Sequence, residues 1–446
     1  MSPRLYLLAT VLLVGVAVAD TPAPVIPGTP AGYALGQWLD AFNSADRERI
    51  ASFAAAHAPW WTLERAMNLR ARTGGYELLS IEESGPQWII FRAREKAEPQ
   101  EVIGRLVVES DTPWLVVHSG KPSVISWLSL EGVAPGTEVA NTLAAAERDR
   151  VLEGAAKLLD ERYVFPDVGE KMAAALRNAE KRGTYRAITD GQIFAWRVSD
   201  ELWAIAHDGH LGVRFSQEVL PPEEPGEVPE TGPGARQRLL ASNCGFEKAE
   251  HLAPNIGYLK FNEFAPPEIC AGTAAAAMNF VADSDALILD LRDNHGGGAM
   301  VQFIASYLFA ESTHLMDTYN RPDNATEEGW TLPYVPGRKF VGKPVFVLTS
   351  KRTFSAAEAF CYALKTLKRA TLVGETTGGG AHPMEPDRLN DHFLINVPTG
   401  RSISPITKTN WEGIGVEPDV KVPAEDALTE ALQRARELKP GTPPAS

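Results

Sequence analysis

The sequence is poor in cysteine, in long apolar runs and in clustered positive charge, and each shortage removes a class of function. Three cysteines in 446 residues, Cys244, Cys270 and Cys361, form neither a disulfide framework nor a thiolate metal site. They allow one disulfide in an oxidising compartment, with Cys244 and Cys270 the favoured pair. Beyond the N-terminus no stretch reaches the roughly 18 consecutive apolar residues that signal a membrane span, so stable membrane insertion is not expected. Asp and Glu outnumber Lys and Arg 57 to 43, the formal charge is −14, and no long basic cluster occurs. The electrostatic footprint of a nucleic-acid binder is therefore missing.

What is present begins at the N-terminus. Arg4 precedes an apolar run from Leu5 to Ala17, and Ala17-Val18-Ala19 stands just before Asp20. This predicts a secretory signal peptide over residues 1–19 and an exported protein, periplasmic or extracellular.

The rest is too long for one ordinary domain. Leu35, Trp38, Leu39 and Phe42 repeat at helical spacing, so a helix is expected over Gly36 to Asn43 and a second over Thr62 to Arg70. Short apolar or alternating segments follow, Tyr76–Ile81, Trp88–Arg94, Val102–Val108 and Trp114–Val117, and read as a sheet. Residues 25–130 are thus expected to form a small α+β accessory domain, similar to the cone-shaped nuclear-transport-factor type, without a convergent polar cluster. Residues 137–215 read as helical and residues 216–240 as a Pro/Glu-rich loop. Apolar strands alternating with helices over 241–425 predict an α/β domain, and 426–446 a C-terminal helix and tail.

Two turns carry the chemistry. Val345-Phe346-Val347-Leu348-Thr349 reads as a buried strand and Ser355-Ala356-Ala357-Glu358 opens a helix, so Ser355 sits at a strand-to-helix turn. The free N–H groups of the helix's first turn can hold an oxyanion there. The same Ser355 and Glu358 spacing also suits a capping box. A second strand ends in Asp290-Leu291-Arg292-Asp293-Asn294-His295-Gly296-Gly297-Gly298, whose glycines let backbone N–H groups approach a ligand.

These turns resemble the "DLRxNxGG" and nucleophile turns of the tail-specific, or C-terminal-processing, peptidases. The resemblance runs from about Glu138 to Val422 and includes His207-Asp208-Gly209-His210-Leu211, the glycine loop from Gly374 to Gly380, and Trp411-Glu412-Gly413 to Asp419. It implies a ClpP/crotonase-like ββα catalytic domain after a helical subdomain. Members with a serine–lysine dyad carry the lysine where this chain has Gly380, and no room exists between Phe215 and Cys244 for their PDZ module. The chain is more similar to the branch of tricorn and the interphotoreceptor retinoid-binding protein.

Carried over, that resemblance implies Ser355 as nucleophile, His210 as base and Glu412 as orienting carboxylate. The oxyanion hole would come from the N–H of Ala356 and of Gly296 or Gly297. His382 and then His207 rank behind His210 as the base, and His295 is unusual within the glycine turn. The expected activity is hydrolysis of peptide bonds through an acyl-enzyme, on a peptide or protein substrate, with no cofactor or metal and homo-oligomerisation left open. The competing expectation is a retinoid- or fatty-acid-binding module, because fold alone does not settle function.

Overall fold

The computed structural model describes residues 24–58, 61–98, 100–108, 125–133, 143–220 and 233–437. The expected signal peptide, the Trp114–Val117 strand, residues 221–232 of the Pro/Glu-rich loop and the Pro-rich tail lie outside them. The chain divides into two units, residues 1–135 and 136–446.

In the first unit three helices, Pro30–Asn43, Arg47–His57 and Leu63–Thr73, precede an antiparallel meander of Tyr76–Ser84, Trp88–Glu95, Glu101–Val108 and Ile125–Val133. Each helix start is written locally. Thr29, Asp46 and Thr62 accept first-turn N–H groups with their side chains, and Gly74 ends the third helix in the left-handed region. The stripe of Leu35, Trp38, Leu39 and Phe42 is buried against Ile89, Phe91 and Leu106 of the sheet. The helix Arg47–His57 was not expected. Its buried positions are Ile50, Phe53, Ala54 and His57, and alanine and histidine give little apolar contrast.

The second unit opens with helices Ala145–Arg162, Pro166–Arg182 and Gly191–Ala206. A six-stranded sheet follows in the order Val420–Lys421, Thr371–Gly374, Val345–Thr349, Ala286–Asp290, Ile256–Phe261, Phe246–Leu252. Its neighbours run parallel except at the last pair, which is antiparallel. Side-chain alternation sends Val345 and Val347 to one core and Phe346 and Leu348 to another, where Ala427, Ala431 and Ala435 of the last helix cover them. Part of the expected loop is a helix, Pro233–Ala241, and Cys244 and Cys270 form a disulfide.

Two three-stranded sheets were not expected. One joins Gly212–Phe215 to Phe393–Pro398 and Met384–Arg388, and the other joins Ala325–Trp330, His314–Asn320 and Gly400–Ile403. The strand Ala325–Trp330 is largely exposed and polar, so only its backbone pairing with His314–Asn320 defines it.

Candidate active site

Ala286–Asp290 and Val345–Thr349 are parallel neighbours, with Val345 opposite Leu287 and Leu348 opposite Asp290. Both turns therefore leave from the same edge of the sheet, at the carboxyl ends of its strands, where open α/β sheets place their sites. Backbone and side-chain hydrogen bonds stitch them together. Ser350 Oγ donates to Arg292 O at 2.5 Å, Thr353 Oγ1 to Leu291 O at 2.8 Å, and Phe354 N–H to Asn294 O at 3.0 Å. The start of the glycine turn is structural: buried Asp290 is held by Arg292 at 2.6 and 2.9 Å and by the Tyr258 hydroxyl at 2.7 Å.

Ser355 ends that stitched turn in a strained conformation, φ 56° and ψ −121°, just before the helix Ala356–Thr366. It is half-buried. The capping-box glutamate is engaged, since Glu358 Oε2 accepts the Ser355 N–H at 2.9 Å. The Ser355 hydroxyl faces His210, whose Nε2 lies 2.9 Å from Oγ. An imidazole at that distance can take the hydroxyl proton when neutral. Burial does hold its pKa below the usual histidine value, only partly opposed by the charge of Asp208, with His382 adding to the lowering.

His210 reaches Ser355 from the turn after the helix Gly191–Ala206. Asp208 builds that turn: its Oδ1 accepts the His210 N–H at 3.0 Å, an Asx turn. Its Oδ2 accepts the Tyr163 hydroxyl at 3.0 Å and faces His382 Nδ1 at 2.7 Å. Phe354 packs on the His210 ring, centroids 4.7 Å apart. His207 caps the helix in the left-handed region and is exposed. His295 is exposed as well.

Glu412 lies beside His382, not His210. Its Oε2 accepts the Ala381 N–H at 2.5 Å and stands 3.5 Å from His382 Nδ1. Among the described residues no hydrogen bond or ion pair joins it to His210, whose Nδ1 is buried without a partner, as is Glu412 Oε1. Burial and the charge of Asp208 push the Glu412 carboxyl up to about 7, against the Ala381 hydrogen bond. Asp208, His382 and Glu412 are also the one His/Asp/Glu group among the described residues with ligand atoms close enough to consider a metal. The 2.7 Å between His382 and Asp208 is a hydrogen bond, shorter than the about 3.3 Å that separates ligands of a tetrahedral zinc ion.

Gly296 and Gly297 lie in the left-handed half of backbone space, φ 109° and 129°. A Cβ on Gly296 would stand 2.7 Å from Ser355 Cβ, so the glycine turn presses directly against the serine. The Gly296 N–H is spent on Asn294 Oδ1 at 2.9 Å. The N–H groups of Gly297 and Ala356 donate to no acceptor among the described residues. Gly380, at the position of the dyad lysine, has its own steric reason: a Cβ there would meet the Phe354 ring at 2.3 Å and His210 Cε1 at 2.7 Å. A longer side chain would displace His210.

Sequence reasoning gave Asp208 and Tyr163 no role of their own and read Glu358 only as a helix cap. Asp208 had a signal, two positions before a histidine across a glycine. Its charge favours the imidazolium that proton transfer creates, so Asp208→Asn is expected to lower the His210 pKa and move the acid limb of kcat/KM to lower pH. Activity should fall about 10-fold to 100-fold above that limb. Steady-state pH profiles decide it, because a defect in folding alone would scale the profile without shifting it.

With the geometry described, the chain can be set beside known proteins. Peptidase family S41 matches residues 255–422, and the N-terminal domain of Peptidase_S41 in eukaryotic IRBP matches residues 139–243. Carboxyl-terminal-processing peptidase 1, chloroplastic, of Arabidopsis thaliana is 28% identical over 196 residues, which are 43% of this chain and 39% of that protein. Tricorn protease of Thermoplasma volcanium is 27% identical over 170 residues, 38% of this chain and 14% of that protein. The solved photosystem II D1 C-terminal processing protease is 16% identical, with 66% of this chain and 98% of that one covered and a TM-score of 0.40. The chain therefore spans less than half the length of either curated relative. Both turns of the site fall within the region that matches Peptidase family S41, and the segment that supplies His210 falls within the region that matches that family's N-terminal domain.

Proposed function

We propose that this protein is an exported, periplasmic or extracellular serine peptidase that hydrolyses peptide bonds through an acyl-enzyme. The 2.9 Å contact between His210 Nε2 and Ser355 Oγ carries the reading. The Ser355 proton passes to His210 Nε2 as Oγ bonds to the scissile carbonyl carbon. The N–H groups of Gly297 and Ala356, both without another acceptor among the described residues, hold the oxyanion. Collapse breaks the C–N bond, and His210 returns its proton to the leaving amine. Water then attacks the ester, gives a proton to His210 and frees the acid as Oγ recovers that proton.

Glu412, the expected orienting carboxylate, is assigned an outer place. It acts on His210 through His382 and Asp208, the carboxylate that holds the base. Export is supported by the apolar N-terminal segment of the sequence and by the Cys244–Cys270 disulfide. No described helix is long and apolar enough to cross a membrane.

The test is incubation with a fluorophosphonate, followed by intact mass and peptide mapping. Labelling of Ser355 that disappears in Ser355→Ala is the expected result. A folded protein that takes no label would defeat the peptidase and favour the retinoid- or fatty-acid-binding alternative.

A further inference from the structure

The first unit holds a cavity of about 400 Å³ whose walls include Trp61, Leu69, Tyr76 and Leu128 and whose charged groups are Glu95 and Arg72. A volume of that size fits a small organic molecule. The aromatic wall is fixed before any ligand arrives. Trp61 stacks on Phe42 at 5.6 Å, and Tyr76 packs on Phe42 at 5.7 Å and on Trp38 at 5.5 Å.

Glu95 is the informative residue. It pairs in register with Tyr76 across the first two strands, and only 9% of it is exposed. Its backbone N–H bonds to Gln100 O at 2.9 Å, yet its carboxylate meets no donor or cation among the described residues. Neither oxygen is among the fully buried unpartnered side-chain atoms, so the carboxylate stays open to whatever enters the cavity although most of the residue is covered. Its charge is felt inside the cavity: burial first, then Glu95, pushes the Tyr76 hydroxyl up to about 12. Arg72 lines the same cavity from an exposed position, and it too makes no ion pair among the described residues.

An unpaired carboxylate in one cavity with a tryptophan and a tyrosine is the chemistry that recognises an organic cation, through charge and the ring quadrupoles together. Arg72, an exposed residue of the same lining, offers a place for a carboxylate on the same ligand. We propose that the cavity of the first unit is a binding site for a small organic ammonium compound, its ammonium on Glu95 between Trp61 and Tyr76, and any carboxylate it bears on Arg72. This site is separate from the Ser355 chemistry and does not depend on it.

Isothermal titration of the whole protein with cadaverine, L-lysine and sodium acetate tests the proposal. Cadaverine and L-lysine should each bind saturably, and acetate should not. Glu95→Gln should weaken both by roughly tenfold or more, the loss of one charge-assisted hydrogen bond. Arg72→Gln should weaken L-lysine and spare cadaverine. The melting temperature of Glu95→Gln should hold or rise, since no described donor or cation pairs with the carboxylate that is removed. Trp61→Leu, which keeps Glu95, should weaken both amines and serves if Glu95→Gln does not fold. No saturable heat with either amine at tens of millimolar, or undiminished binding by Glu95→Gln, would overturn the site. A drop in melting temperature of Glu95→Gln without amine binding by the unaltered protein would overturn it too, by giving Glu95 a structural partner.

Discussion

Replacing Ser355 or His210 by alanine is expected to lower kcat/KM on a cleavable peptide by about 10,000-fold, and replacing both should cost no more than replacing one. A factor of that size is about 5.4 kcal/mol of transition-state stabilisation. It is the loss seen when a nucleophile and base that act as a unit are broken, while residual turnover comes from the oxyanion site and binding. The unit here is the 2.9 Å pair of His210 Nε2 and Ser355 Oγ. Without the imidazole, the hydroxyl keeps its proton at neutral pH; without the hydroxyl, the imidazole has no attacking group to serve. Stability should change little for Ser355→Ala, since the side chain is half-buried and alanine inherits the same backbone conformation. Progress curves with matched denaturation midpoints provide the check. Either single variant retaining activity within tenfold, or losses that add in the double variant, would sink the assignment.

The parts of this site that were legible in the sequence are those written within a few residues. An apolar run such as Val345 to Thr349 followed by turn residues and an alanine-rich helix announces a strand–turn–helix, and Ala286 to Gly298 does the same. That the two turns meet is a property of strand order, Val345 beside Leu287, and nothing local encodes it; the family resemblance supplied it. The hydrogen bond of His382 to Asp208 joins residues 174 positions apart, so the second-ranked histidine could not be placed by periodicity or spacing. Glu412 was carried over from a motif, and its geometry at Ala381 and His382 depends on how the loop from Trp411 wraps the glycine loop, through Trp411 Nε1 to Gly380 O at 2.8 Å and Gly413 N to Gly379 O at 2.9 Å. In the first unit the second expected helix began at Thr62, the cap of Leu63–Thr73, while the first was expected only from Gly36, short of its start after Thr29, and the cavity was not legible. Its charged groups come from a helix, Arg72, and a strand end, Glu95, which share one cavity only after the meander pairs.

Glu358 shows how a residue with an ordinary local reading acquires a second role, and its replacement by glutamine is the second large effect expected. The local reading is a helix cap for Ser355, and the cap forms. The carboxylate also accepts three groups from the glycine loop. Oε1 takes the Thr377 hydroxyl and the Gly379 N–H at 2.7 Å, and Oε2 takes the Gly380 N–H at 2.8 Å besides that of Ser355 at 2.9 Å. Every one of these partners donates, two to each oxygen, so the site is complementary to a carboxylate and to nothing with an N–H of its own. Burial raises the Glu358 pKa and the four hydrogen bonds oppose that rise. An amide would satisfy one pair and turn its NH2 against the other, leaving two buried donors without acceptors. Glu358→Gln is therefore expected to destabilise the second unit by about 3–5 kcal/mol. It should also cut kcat/KM by about 100-fold, because it releases both the strained Ser355 turn and the loop that packs Gly380 against His210. Chemical denaturation and peptide kinetics on the same preparation separate the two losses. A variant that keeps its stability and its rate would mean that Glu358 is only a helix cap, and that the glycine loop holds the histidine without it.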